Sequence, residues 1–319
     1  MKHLESAFSG KNSFWRYIVM IAAVLIASNT IGAVPLIISM AIKASSDPEV
    51  ISRLANNPND LSILVDNPNI GLLMMLFPFL VGLSTLVLLF KPLHQRKIIS
   101  SINGASSIRW NRIFTSAFVW IIFSAIYLFI YKGLDPSNFT LNNTSSTLFS
   151  LIIISLLFIP FQSSFEEILF RGYLMQGFAV LARNRWLPVI LTSLFFGFMH
   201  AWNPEIKEYG FLTMMPQYVL FGLLFGLMTI FDDGIEIAIG AHAANNIFLS
   251  IMVTNSSSTL QTPALYEQKN IYPWAEFWAL LAVSVLFFFI MRTIYRWKDI
   301  SVLWKRISNV EGSGSDIVN

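Results

Sequence analysis

The chain contains no cysteine. Disulfides, thiolate metal sites and a cysteine nucleophile are therefore excluded. Charge is scarce too: 12% of the residues are Asp, Glu, Lys or Arg, about half the ~25% of soluble domains. No basic patch is interleaved with aromatics on a polar face, so no nucleic-acid partner is expected. Neither an H-E-x-x-H helix nor a G-x-S-x-G elbow occurs, and no serine stands out as a nucleophile. No repeat relates two halves of the chain, which weighs against an ion-coupled transporter.

Apolar length takes the place of charge. The chain is 55% hydrophobic, and the excess lies in long runs, the signature of spanning helices. The expected fold is an all-α polytopic membrane bundle of about eight transmembrane helices. Their apolar stretches are 14–42, 71–90, 113–131, 148–161, 187–200, 211–231, 235–253 and 274–295. The first is too long for a cleaved signal peptide, and Asn29, Thr30, Gly32 and Pro35 predict a kink in it. Asn57-Pro58 and Asn67-Pro68 mark turns before the second. Pro160 is expected to break the fourth. Ser163 or Ser164 would then cap a new amphipathic helix over 165–182, interrupted by Gly172 and Gly177. In the sixth, Gly222-x-x-x-Gly226 permits close helix packing.

Three regions follow from this layout: a three-span region over 1–145, a core over 146–255, and a last span with its tail over 256–319. If the spans alternate from a cytoplasmic N-terminus, sixteen of the 21 Lys and Arg residues fall inside. The bias predicts cytoplasmic termini. Compact loops and the lack of an organelle signal point to a bacterial plasma membrane.

Ionisable groups near hydrocarbon are costly and usually functional. Glu166 and Glu167 stand directly after the fourth apolar run, with Arg171 four residues beyond Glu167. That spacing, acid first, favours an ion pair on one helix face. Glu166 is rotated about 100° away and left free for chemistry. The plainer alternative is a pair of capping boxes, Ser163-x-x-Glu166 and Ser164-x-x-Glu167. Of four histidines, His3 and His94 lie in polar flanks and are expected at the surface, while His200 and His242 lie at or in apolar stretches. Phe196 precedes His200 by four residues and Asn246 follows His242 by four, so each pair shares a helix face.

A glutamate and a histidine together can activate water. A histidine N–H and an asparagine amide aimed at one point can stabilise an oxyanion. Glu166, His200 and His242 would also make a zinc set with an open fourth position, so the cofactor expectation is none or zinc. Depth is a difficulty. At ~1.5 Å per residue, simple placement puts Glu166 near the inner face, His242 roughly 12 Å in and His200 roughly 20 Å in. They meet only if the fourth segment bends inward or the fifth span starts outside the bilayer.

The series Glu166-Glu167-x-x-x-Arg171, Phe196-x-x-x-His200, His242-x-x-x-Asn246 resembles the motifs of the CAAX-protease and bacteriocin-processing (Abi) family of intramembrane proteases, which includes the type II CAAX prenyl endopeptidases. The resemblance spans roughly 145–255. It implies an intramembrane endopeptidase acting on a membrane-embedded or lipidated peptide, with Glu166 and His200 activating water. Glu167 and Arg171 would be the supporting ion pair, and His242 and Asn246 the oxyanion-stabilising pair. The family has been described both as metalloendopeptidases and as metal-independent glutamate proteases, and the reading here favours the second. The competing expectation is a non-catalytic immunity or scaffold protein that keeps the fold.

Overall fold

The structure is a computed structural model and describes residues 2–56, 61–142 and 146–307. Asn57-Pro58 lies outside the described residues. The predicted kink in the first span is real. Helix α1 (Phe14–Thr30) stops and α2 (Val34–Ser46) restarts the climb. Gly32 sits at the joint, where an added Cβ would stand 2.7 Å from the Pro78 backbone. After α3 (Val50–Asn56), Asn67 caps α4 (Pro68–His94) by accepting from the Asn69 amide at 3.0 Å, with Pro68 in the first turn. Helix α5 (Ile99–Ile102) is one turn in the loop before α6 (Trp110–Leu134).

The fourth segment departs from expectation. Helix α7 (Leu148–Glu167) runs straight through Pro160, and neither Ser163 nor Ser164 caps a new helix. It continues without a break into a π-helix, Ile168–Leu174, and then α8 (Met175–Ala182). A proline inside an apolar helix is tolerated where packed neighbours and local adjustment satisfy the freed carbonyl. The result is one helical rod of 35 residues.

Helices α9 (Trp186–Met199), α10 (Pro204–Tyr209), α11 (Phe211–Asp232), α12 (Glu236–Met252) and α13 (Pro273–Tyr295) complete the bundle. Short strands β1 (Phe139–Leu141), β2 (Val253–Thr254) and β3 (Tyr266–Gln268) form a small sheet in the order β1-β3-β2 at the far ends of α6 and α12. The eight apolar stretches are all helical. Among the described residues, six helical segments are long and apolar enough to cross a membrane, and α9 and α12, of 14 and 17 residues, are shorter.

Helix α12 is the central element, packed on α6, α7 and α11. Close approach explains its small residues: a Cβ on Gly240 would land on the Ile113 carbonyl of α6. The GxxxG pair of α11 is likewise used. A Cβ on Gly222 would stand 2.7 Å from the Ser193 Cα, and one on Gly226 3.0 Å from Val189, both on α9. The turn from α11 to α12 is tied down by charge, with Arg109 on Asp232 (3.0 Å) and Glu236 (2.5 Å), and Arg112 on Asp232 (3.2 Å).

Both polar-flank histidines prove to be interior. His3 is 1% exposed and His94 fully buried, because the N-terminal segment folds back under the bundle. His94 Nδ1 donates to the Lys11 carbonyl (2.7 Å), and its Nε2 accepts from the Tyr173 hydroxyl (2.8 Å). A polar neighbourhood in sequence marked a docked segment here, not an exposed one.

The α6–α12 contact predicts that Gly240→Ala lowers the thermal unfolding midpoint in detergent, with a destabilisation of about 1–3 kcal/mol from overpacking. Gly133→Ala, where no atom lies within 4 Å, serves as the control and should leave the midpoint within a degree or so.

Candidate active site

The continuous fourth rod resolves the depth problem. Glu166 lies mid-rod, sixteen residues before Ala182, or about 24 Å along the axis. His200 follows the last residue of the short α9, about 21 Å from its start at Trp186. The two sites thus reach similar heights without the inward bend that sequence placement required. Helix α12 starts inside the protein, at the buried Glu236, and carries His242 beside the rod.

The centre of the site is a buried ion pair. Arg171 Nη1 donates to Glu167 Oε1 at 2.9 Å, and both side chains are fully buried. The four-residue relation anticipated between them holds although Arg171 lies in the π-helical stretch. Aromatic faces surround the guanidinium. It lies 4.3 Å from the Phe196 ring centroid and 5.6 Å from that of Phe225, and its Nη2 donates to the Gly222 carbonyl at 3.4 Å. Cation–π contact offsets part of the lost hydration of a buried cation.

His242 joins the two glutamates. Its Nδ1 bonds Glu167 Oε1 at 2.7 Å, and its Nε2 faces Glu166 Oε2 at 3.7 Å. A carboxylate paired with arginine cannot donate, so the proton of the shorter bond belongs to Nδ1. The imidazole is fixed by stacking on Phe225 (centroids 5.4 Å apart, 23° between planes).

Glu166 is held by a residue that sequence reasoning missed. Gln162, one turn earlier on α7, donates from Nε2 to Glu166 Oε1 at 2.6 Å. Its Oε1 accepts from Asn246 Nδ2 (3.0 Å) and Ser163 Oγ (3.1 Å). Its signal was an amide at i−4 from the glutamate, just beyond the apolar run. Glu166 Oε2 is buried and accepts no hydrogen bond, so one oxygen is oriented and the other is open. Asn246 spends one of its two N–H protons on Gln162. It therefore reaches Glu166 through that amide, and no hydrogen bond joins it to His242.

His200 stands at the edge of this group. Its Nδ1 donates to the Phe196 carbonyl at 2.8 Å, its ring meets the Phe196 ring at 4.7 Å, and it stacks on Tyr218 at 4.4 Å. With Nδ1 protonated, Nε2 of the neutral ring is an acceptor. No hydrogen bond or ion pair joins His200 to Glu166; the imidazole in direct reach of Glu166 is that of His242. Phe196, read in sequence only as a companion of His200, is the shared wall. It touches His200, His242 (6.0 Å) and Phe170 (5.4 Å) as well as Arg171.

Zinc would need at least three donors converging on one point. Among the described residues, no three His, Asp or Glu side chains are so grouped. The set Glu166, His200 and His242 is therefore not assembled here, and the chemistry below uses the side chains alone.

Comparison with known proteins agrees with this location. Residues 144–248 match the family described as type II CAAX prenyl endopeptidase Rce1-like. The uncharacterized protein YyaK of Bacillus subtilis (strain 168) is 27% identical over 280 residues, covering 87% of this chain and 91% of that protein. No solved structure matches. All of Glu166, Glu167, Arg171, His200, His242 and Asn246 lie inside the matched stretch. The chain is thus an integral membrane protein whose residues 144–248 are similar to the Rce1-like type II CAAX prenyl endopeptidase family.

Proposed function

We propose that the protein is an intramembrane endopeptidase in which Glu166 is the general base. The observation that carries this reading is the split environment of one buried carboxylate. Oε1 is pinned by Gln162, while Oε2 is unpaired and faces His242 Nε2. The reading is further supported by the Rce1-like match over the same residues. The substrate class it implies is a membrane-embedded or lipidated peptide, a prenylated CAAX sequence included. The basic residues favour cytoplasmic termini, and the compact loops a bacterial plasma membrane.

In the proposed reaction, Glu166 Oε2 takes a proton from water as the water oxygen attacks the scissile carbonyl carbon. The acceptor Nε2 of His200 orients that water. His242 Nε2–H and the second N–H of Asn246 stabilise the resulting oxyanion. Glu166 then returns the proton to the leaving nitrogen, the C–N bond breaks, and a carboxylic acid and an amine separate. In this donor role His242 carries a proton on each ring nitrogen, Nδ1–H toward Glu167 and Nε2–H toward the oxyanion. Glu167 and Arg171 touch no reacting atom in this scheme; they hold His242 in place.

Three outcomes test it. Glu166→Gln should lower cleavage of a prenylated CAAX peptide by about 10²–10⁴-fold, with the thermal midpoint of the purified protein retained; wild-type cleavage in that variant would rule Glu166 out as the base. His242→Gln should cost about 10²–10³-fold in kcat with little change in KM, as for loss of an oxyanion donor. Dialysis against a chelator should leave cleavage intact. Stoichiometric zinc by elemental analysis, lost together with activity, would instead assign Glu166, His200 and His242 to a metal.

A further inference from the structure

The N-terminal segment ends directly beneath the π-helix, and its contacts there have no part in the scheme above. A three-residue-per-turn helix over Glu5–Ser9 buries Leu4 and Ala7. The Asp233 carboxylate, in the turn after α11, accepts both the Lys2 amide (2.8 and 2.9 Å) and the His3 amide (2.9 Å). The His3 carbonyl accepts from Gln176 Nε2 at 2.7 Å, and Gln176 Oε1 accepts from Arg96 at 2.7 Å. The backbone comes this close because Gly104 offers no side chain. A Cβ there would stand 3.0 Å from the Lys2 carbonyl carbon and 3.1 Å from the His3 nitrogen. Gly172, in the middle of the π-helix, lies against the Ser101 carbonyl for the same reason, with an added Cβ 2.5 Å away.

The decisive contact is His3 Nε2 to the Arg171 carbonyl at 3.3 Å. The carbonyl accepts, so Nε2 carries the proton, and Nδ1 of the same ring is buried without a partner. Arg171 is therefore gripped at both ends, its guanidinium by Glu167 and its main chain by His3. We propose that residues 2–9 form a strap that holds the π-helical turn in register, and that His3 is a positioning residue that sets where Arg171 meets Glu167. The inference rests on the reading of Glu166 and Glu167 as the working site, but its structural half can be measured without any cleavage.

The groups facing His3 from the packed elements are Asp233, Glu236, Arg96 and the Arg171 carbonyl. Burial outweighs the two carboxylates and pushes the imidazole down to about 4. The strap holds His3 in its neutral form, so its docking is complete above the ordinary histidine value near 6.5. Docking is then lost as pH falls from there toward 4, by up to about tenfold per pH unit.

The experiment compares His3→Leu, which fills the space without a donor, with His3→Gln, which restores an N–H. Hydrogen exchange by mass spectrometry reads residues 168–176 in detergent. In His3→Leu these amides should exchange about three- to tenfold faster, the scale of one neutral hydrogen bond, with α13 unchanged. In His3→Gln protection should return. In wild type, protection of 168–176, corrected for intrinsic exchange, should fall between pH 6.5 and 5, and His3→Gln should lack that fall. On a prenylated CAAX peptide, kcat should drop in His3→Leu and recover in His3→Gln, with KM within about twofold. Wild-type exchange and wild-type kcat in His3→Leu would overturn the strap. If the wild type itself cleaves nothing, the protease reading fails, and the exchange results alone decide whether the strap exists.

Discussion

Everything else in the structure is arranged around an ion pair with no access to water. Arg171 and Glu167 are both fully buried. Removing two charges from water costs several kcal/mol per ion, and leaving one of them unpaired costs about 3–5 kcal/mol. The surrounding groups answer part of that cost. The Gly222 carbonyl, the Phe196 and Phe225 faces and His242 Nδ1 all converge on the pair. Close approach of these elements needs small residues, which is why Gly222 of α11 faces α9 and Gly240 of α12 faces α6.

Helix length then sets the site's depth. A 35-residue rod and a 14-residue helix are both poor fits to a hydrocarbon core about 30 Å thick. One is longer than it needs to be and the other is too short. Their mismatch is what brings mid-rod Glu166 level with terminal His200. Among the described residues, five other helical segments are long and apolar enough to span. Of these, the N-terminal ones have a use that their sequences do not show: α1 and α4 form the shelf on which Tyr173 and the π-helix rest. Tyr17, Phe90 and His94 close around the Tyr173 ring at 4.9–6.2 Å.

Much of this was legible in the sequence wherever the relation was local. The Glu167–Arg171 pair and the Phe196–His200 contact are four-residue relations on a helix, and both appear. The eight apolar stretches are all helical. Three readings failed for reasons of context. Pro160 would break a helix exposed to water, yet it sits inside the apolar rod. The capping boxes at Ser163 and Ser164 needed a helix start that never came. The polar neighbours of His3 and His94 suggest exposure, whereas His3 docks on the Arg171 carbonyl and His94 on Tyr173. The bonds His242–Glu167 and Asn246–Gln162 span 75 and 84 residues. No periodicity can report such pairs; only the requirement that buried polar groups find partners hints at them.

The division of labour between the two adjacent glutamates follows from the same need for partners. Glu167 faces Arg171 and His242, and its charge is consumed in holding them. Glu166, one residue earlier, is hydrogen-bonded by an amide instead of an arginine. Gln162 orients the carboxylate without neutralising it, so Oε2 stays free to accept a proton. Exchanging the two environments would spoil both residues. An arginine against Glu166 would quench the base, and an amide against Glu167 in place of its cation would leave Arg171 charged and alone. Helical geometry supplies the separation. Adjacent residues point about 100° apart, so one rod can present a structural carboxylate to Arg171 and His242 Nδ1 and a reactive one to Gln162 and the space beside His242 Nε2.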